Sequence, residues 1–156
     1  YSTMVGAGRL SVRALGSYLD KFETQTPGSP AIDRAGDISV SGTPRFTATL
    51  SALYSVDAGQ IYVQERLIGA GNVDNTFTPA IIADNHVPAV WYTDVTLRAN
   101  ALQGSDKLQI FLTVNNLFNK EPPLVPSIPY GGYRATNFSL YDVVGRYMTF
   151  GVNAKF

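Results

Sequence analysis

The chain has 156 residues, enough for one domain with a core, and its twelve basic and twelve acidic side chains cancel, which removes the polybasic case for nucleic acid. Charged residues make up 15% of it against about 25% in a typical soluble domain, while nine Tyr, eight Phe and one Trp suit surfaces that do not all face water. Without cysteine there is no disulfide scaffold or cysteine-ligated metal, and no apolar run reaches the roughly 18 residues of a transmembrane helix.

A first strand is predicted over residues 5–22. Leu10, Val12, Ala14, Gly16, Tyr18 and Phe22 share one face; Arg9, Ser11, Arg13 and Ser17 share the other, with Leu15 and Leu19 on the polar side. Helix competes for Arg9 to Tyr18, since Leu and Ala favour it, but the alternating charges argue for strand. Pro27, Gly28, Ser29, Pro30 and Gly36 make 23–41 a long loop. The second strand, 43–56, alternates most cleanly: Phe46, Ala48, Leu50, Ala52, Tyr54 and Val56 oppose Arg45, Thr47, Thr49, Ser51 and Ser55. A tight turn at Asp57-Ala58-Gly59 leads into a third strand, 60–68, whose apolar side of Ile61, Val63 and Leu67 also carries Glu65. Either a bulge or a shielding neighbour would account for that acid.

Residues 70–89 form a second long loop. Strand four, 90–101, sets Trp91, Thr93, Val95, Leu97 and Ala99 against Tyr92, Asp94, Thr96, Arg98 and Asn100. A short turn at Gln103-Gly104-Ser105-Asp106 precedes strand five, 107–116, where Leu108, Ile110, Leu112 and Val114 oppose Gln109, Phe111, Thr113 and Asn115. The third and longest loop, 117–144, leads to the last strand, 145–156, in which Met148, Phe150, Val152, Ala154 and Phe156 alternate with Thr149, Gly151, Asn153 and Lys155.

The connections therefore run long, short, long, short, long. Outer-membrane barrels show that asymmetry, with short periplasmic turns and longer extracellular loops, and a closed barrel is the one strand architecture that satisfies every backbone group in lipid. The predicted class is all-β, an antiparallel up-and-down transmembrane β-barrel. Tyr18, Phe22, Phe46, Trp91 and Phe118 would gather at the outer membrane interface, and Tyr54 and Phe156 at the inner one.

Two motifs make the reading specific. Asn116-Leu117-Phe118-Asn119-Lys120 before a Pro-rich loop, then Tyr141-Asp142-x-x-Gly145-Arg146 and an alternating strand ending in Phe156, resemble the carboxy-terminal end of a TonB-dependent outer-membrane receptor. Asn119 replaces that family's commoner Asp and keeps the turn-forming side chain. Plugged barrels of this kind have about 22 strands, so the resemblance implies a carboxy-terminal fragment supplying the last six. The plug, the segment that engages TonB, and the start of the chain before Tyr1 would be missing, removed by processing or truncation. The resemblance also implies function: active uptake across the outer membrane of a scarce nutrient, with a ferric siderophore the leading substrate class and cobalamin or carbohydrate as others. The implied partners are outer-membrane lipid, TonB and the plug, the nutrient, and the barrel-assembly machinery. The machinery would read Met148, Phe150, Val152, Ala154 and Phe156, with Ala154 smaller than the aromatic often found there.

Site chemistry is sparse. His86, the single histidine, lies in Asp84-Asn85-His86, where a metal or ferric-chelate contact competes with a solvated loop residue. Phe77, Tyr130, Tyr133, Phe138 and Tyr141 would either line a ligand entrance or pack the long loops together. Arg9, Arg13, Arg45, Arg98, Asp94 and Gln109 would face a polar lumen, contacting plug, anion or water. Gly69-Ala70-Gly71 and Gly131-Gly132 lack the strand-then-helix context of a phosphate loop, and no nucleophile triad is readable, so neither an enzyme nor a cofactor is predicted. Two other readings fit the alternation: a complete eight-stranded barrel with a structural or adhesion role, its extra strands hidden in 23–41 and 117–144, or a soluble β-sandwich binding module.

Overall fold

The computed structural model describes residues 1–39, 42–102, 105–125 and 135–155. Its strands are β1 (Ser2–Val5), β2 (Gly8–Tyr18), β3 (Glu23–Thr24), β4 (Ile32–Asp33), β5 (Phe46–Val56), β6 (Gly59–Ile68), β7 (Gly71–Asn72), β8 (His86–Val87), β9 (Val90–Leu102), β10 (Ser105–Asn115) and β11 (Tyr147–Ala154). Seven of them form one antiparallel sheet in the order β1-β2-β5-β6-β9-β10-β11, a meander in which each main strand pairs with the next along the chain. The described residues contain no helix. The sheet is open, with β1 and β11 at its edges.

The first predicted strand is shorter, β2 alone, and β1, a strand the prediction lacked, precedes it in a hairpin. Gly6 and Ala7 reverse the chain between Val5 and Gly8, with Gly6 at φ 59°. Glycine at the first central position with positive φ is the signature of a type II′ turn, whose twist suits a hairpin. A two-residue turn shifts the alternation by one, so Thr3 and Val5 share the face of Leu10 and Gly8. Strand two begins at Phe46 because Thr43 and Arg45 are held by the loop: Gly36 N–H donates to Thr43 O (2.7 Å) and Leu19 N–H to Arg45 O (2.8 Å). The remaining main strands shift by one to two residues at their ends. The predicted loops 23–41 and 70–89 each carry a two-residue ladder, β3–β4 and β7–β8, too short to add to the main sheet.

Ladder partners share a face, so the registers assign every side chain. One row reads Leu10, Tyr54, Ile61, Leu97, Leu112 and Phe150; the next reads Val12, Ala52, Val63, Val95, Val114 and Met148. The opposite face carries Arg9, Arg13, Asp94, Arg98 and Gln109, as predicted. Arg45 lies before its strand and pairs with Asp33 (3.0 Å). The apolar face is uncovered among the described residues: Leu50, Ile61, Leu97, Ile110, Met148, Phe150 and Val152 are all exposed.

Glu65 remains on that face without a bulge, since both its ladders run in continuous register. It accepts a hydrogen bond from the Thr93 hydroxyl (2.8 Å), and Thr93 is the neighbour directly opposite. A register break does occur in the β9–β10 ladder, between Ser105 and Gln109.

The buried core does not lie against the sheet's middle. It is formed by Ile38, Ile68, Val73, Val87, Val90, Tyr92, Val125 and Tyr141, where the three long connections meet one end of the sheet.

Candidate functional site at the loop end of the sheet

Residues 19–45, 69–89 and the described parts of 116–146 fold into one cap, in which Asp33 of the first, Asp74, Asn75 and Asn85 of the second, and Asn116, Asn119 and Asp142 of the third bond nearby backbone groups through their short side chains. In the first connection the Asp33 carboxylate accepts from Phe22 N–H (3.0 Å) and Ala35 N–H (2.9 Å), and these two bonds, with Arg45 adding to them, hold it below the usual carboxylate range. In the second, Asp74 accepts from the N–H (2.7 Å) and hydroxyl (2.6 Å) of Thr76. The two connections dock through their backbones: Ile38 N–H donates to Asn72 O (2.9 Å) and Ser39 N–H to Val73 O (3.0 Å). The Asn75 amide donates to Asp33 O (3.0 Å) and Ala35 O (2.9 Å).

At the centre of this junction is Arg34. Its Nη1 bonds Asp37 (2.8 Å) and both oxygens of Asp74 (3.0 Å each), and both carboxylates are buried. Burial pushes the Asp74 carboxyl up, but the Thr76 bonds and Arg34 outweigh it, and the net displacement is downward. A folded-state value below the unfolded ~3.9 gives stabilisation that is present above about pH 4 and lost as pH falls through the lowered value. Hydrogen exchange at the Ile38 and Ser39 amides is therefore expected to stay slow from pH 8 to 5 and to accelerate, beyond the intrinsic pH trend, only below about pH 4.

The two carboxy-terminal motifs meet in space and tie off the third connection. Asn116 is 1% exposed, its backbone is left-handed (φ 50°), and its amide bridges Lys120, accepting from N–H (2.7 Å) and donating to O (3.0 Å). Asn116 N–H donates to the Asp94 carboxylate (2.8 Å). Asn119, also left-handed (φ 51°), accepts from Arg146 N–H (3.0 Å), and Arg146 Nη1 reaches Leu117 O (3.4 Å). Asp142 caps Val144 N–H (2.9 Å) and Gly145 N–H (3.3 Å), and Gly145 sits at φ 78°. Any Cβ at Gly145 would lie 3.0 Å from Asn119 Oδ1, so the glycine is required both by conformation and by close approach. Within this chain the motif residues are backbone scaffolding. Phe118, 75% exposed, and Tyr141, 3% exposed in the loop core, are exceptions.

Cavities lined by described residues open on this end. One, of about 270 Å³, lies on the polar face beneath residues 138–144 and is lined by Arg66, Asp94, Tyr141 and Asp142 among others. The second, of about 520 Å³, lies between the first two connections and is lined by Asp33, Arg45, Asn75 and His86. His86 is exposed, and its N–H is held by Asp84 (2.9 Å). No three His, Cys, Asp or Glu side chains among the described residues converge on a metal-sized group.

Of the predicted entrance aromatics, Phe77 packs against the loop core and Tyr141 is buried in it, because the cap needs apolar filling that the sheet faces do not supply. Phe138 lines the smaller cavity. Tyr130 and Tyr133, and Phe156 of the terminal face, fall outside the described residues. The Tyr141 hydroxyl is buried without a hydrogen-bond partner among the described residues, and burial pushes it up to about 12. Removing an orphaned buried hydroxyl relieves its desolvation, so Tyr141→Phe is expected to raise the urea midpoint by the equivalent of about 1 kcal/mol. Arg34, Asp74 and Arg66 were not singled out in the sequence; an Arg–Asp pair at i,i+3 is visible at 34 and 37, but nothing local joins it to Asp74.

Comparison of the chain with protein-family models, with curated proteins and with solved structures finds no match.

Proposed function

We propose that this chain is barrel wall and outer mouth from the carboxy-terminal end of a TonB-dependent outer-membrane receptor. The observation that carries the reading is the uncovered apolar face of a meander whose three long connections share one end. Soluble monomers rarely expose apolar patches beyond a few hundred Å². A soluble sandwich would lay a second layer on this face, and the described residues supply none. The 11 residues of β2, β5 and β10 suit the ~9–11 that a tilted strand needs to cross the hydrocarbon. Tyr18 and Phe46 pair at the loop end of the apolar face and Trp91 stands one row further in, all three exposed, as interfacial aromatics would be. Open edges at β1 and β11 suit continuation into a larger barrel.

In this reading the receptor imports a scarce nutrient, with a ferric siderophore as the leading class. TonB drives a plug held inside the polar face, and the cap of connections forms part of the extracellular mouth. The exposed Met148, Phe150 and Val152 on the free edge strand offer the assembly machinery alternating apolar side chains and unpaired backbone. The test is fractionation of the full-length protein, followed by nutrient uptake with and without TonB. Recovery in the outer membrane with TonB-dependent uptake supports the proposal; a soluble monomer in the absence of detergent overturns it.

A further inference from the structure

The cavity beneath residues 138–144 carries charges that do not satisfy one another. Arg66 lies with its guanidinium 5.1 Å from the centroid of the Tyr92 ring and makes no ion pair among the described residues. Asp94 and Asp142 line the same space. Asp94 uses one oxygen for Asn116 N–H, and Asp142 uses one for Val144 and Gly145 N–H, which leaves each a second oxygen. One cation and two anions line a space of about 270 Å³ with Phe138 and Leu140 as apolar wall. A simple anion here would meet two carboxylates, and a simple cation would leave Arg66 unmatched. A ligand carrying both charges answers all three.

We propose that this cavity binds a small zwitterion of the free α-amino-acid type. Its carboxylate pairs with the Arg66 fork, its ammonium sits at Asp94 and Asp142, and its apolar side chain lies against Phe138 and Leu140. The planar guanidinium suits bidentate carboxylate binding, and stacking on Tyr92 holds it in place at little further entropy cost. Tyr141, 3% exposed, lines the same space, and its hydroxyl, without a hydrogen-bond partner among the described residues, supplies one more donor to the carboxylate. The volume suits a single apolar amino acid rather than a drug-sized molecule. This assignment stands apart from the receptor reading, since it needs neither lipid nor TonB.

The experiment is calorimetric titration of the full-length protein, in detergent, with leucine, N-acetyl-leucine and leucinamide. Leucine is expected to bind saturably, and blocking either charge is expected to weaken binding roughly ten- to a hundredfold, the factor of one lost charge-assisted hydrogen bond. Asp94→Asn keeps an acceptor oxygen for Asn116 N–H and removes only the charge, so the same loss is expected there with an unchanged circular dichroism spectrum. Tyr141→Phe is expected to weaken leucine about fivefold while stabilising the free protein. The proposal is overturned if folded protein gives no saturable leucine signal, if either blocked compound binds as tightly as leucine, or if Asp94→Asn leaves leucine binding unchanged.

Discussion

Arg34→Ala is expected to destabilise the loop cap by about 3 kcal/mol, the lower end of the range for stripping a buried carboxylate of its cation. The Arg34 side chain is 18% exposed, while those of Asp37 and Asp74 are 0% and 8% exposed, so the acids cannot turn to solvent when the guanidinium goes. Asp74 retains its Thr76 bonds, which keeps the loss from the top of the range. The junction is also where the first connection meets the second, so the damage should be local. Proteolysis within 19–45 and 69–89 is expected to accelerate while sheet circular dichroism persists. Arg34→Lys should recover part of the loss: all three bonds come from the single nitrogen Nη1, which an ammonium replaces in kind, but the shorter side chain does not carry it to the same point. An unchanged protease pattern in Arg34→Ala would mean that the apolar core of Ile38, Val73, Val87 and Val125 holds the cap unaided.

Leu97→Arg is the larger test of the membrane reading. Leu97 is 46% exposed in the middle of the apolar face, flanked in its row by Ile61 and Leu112. If that face meets lipid, an arginine there should lower folding stability in vesicles by roughly 2–4 kcal/mol, the range for a cation near the bilayer midplane. Thr149→Arg, exposed on the opposite face of β11, should change it by less than about 0.5 kcal/mol, as surface substitutions do. Measuring both by urea titration of the full-length protein in vesicles isolates the face from the charge. Equal effects at the two positions would place both faces in the same solvent and remove the lipid assignment.

Much of the sheet could be read from residues alone. Phe46 to Val56 alternates so regularly, Leu53 apart, that its two faces follow from period 2, while its register with β2 and β6 comes from the ladders. The long and short connections were equally legible, because Pro, Gly, Asn and Asp mark turns through fixed backbone chemistry. The Gly6-Ala7 reversal was not read, although it shifts the alternation by one, Thr3 and Val5 coming onto the face of Leu10 and Gly8. The two carboxy-terminal motifs could be located, but not their meeting: Asn119 Oδ1 reaches Arg146 N–H across 27 positions.

What the sequence determined by itself was class and patterning: strands, their faces, and a composition poor in charge and rich in aromatics. Only the tertiary structure decided where the core lies, which carboxylates Arg34 holds, that Glu65 is answered by Thr93, and that Arg66, Asp94 and Asp142 share one cavity. The physical reason is range. Strand faces and turns follow from the chemistry of neighbouring residues, whereas most of these contacts join segments tens of residues apart, brought together by strand pairing or by the packing of three long connections against one end of a sheet.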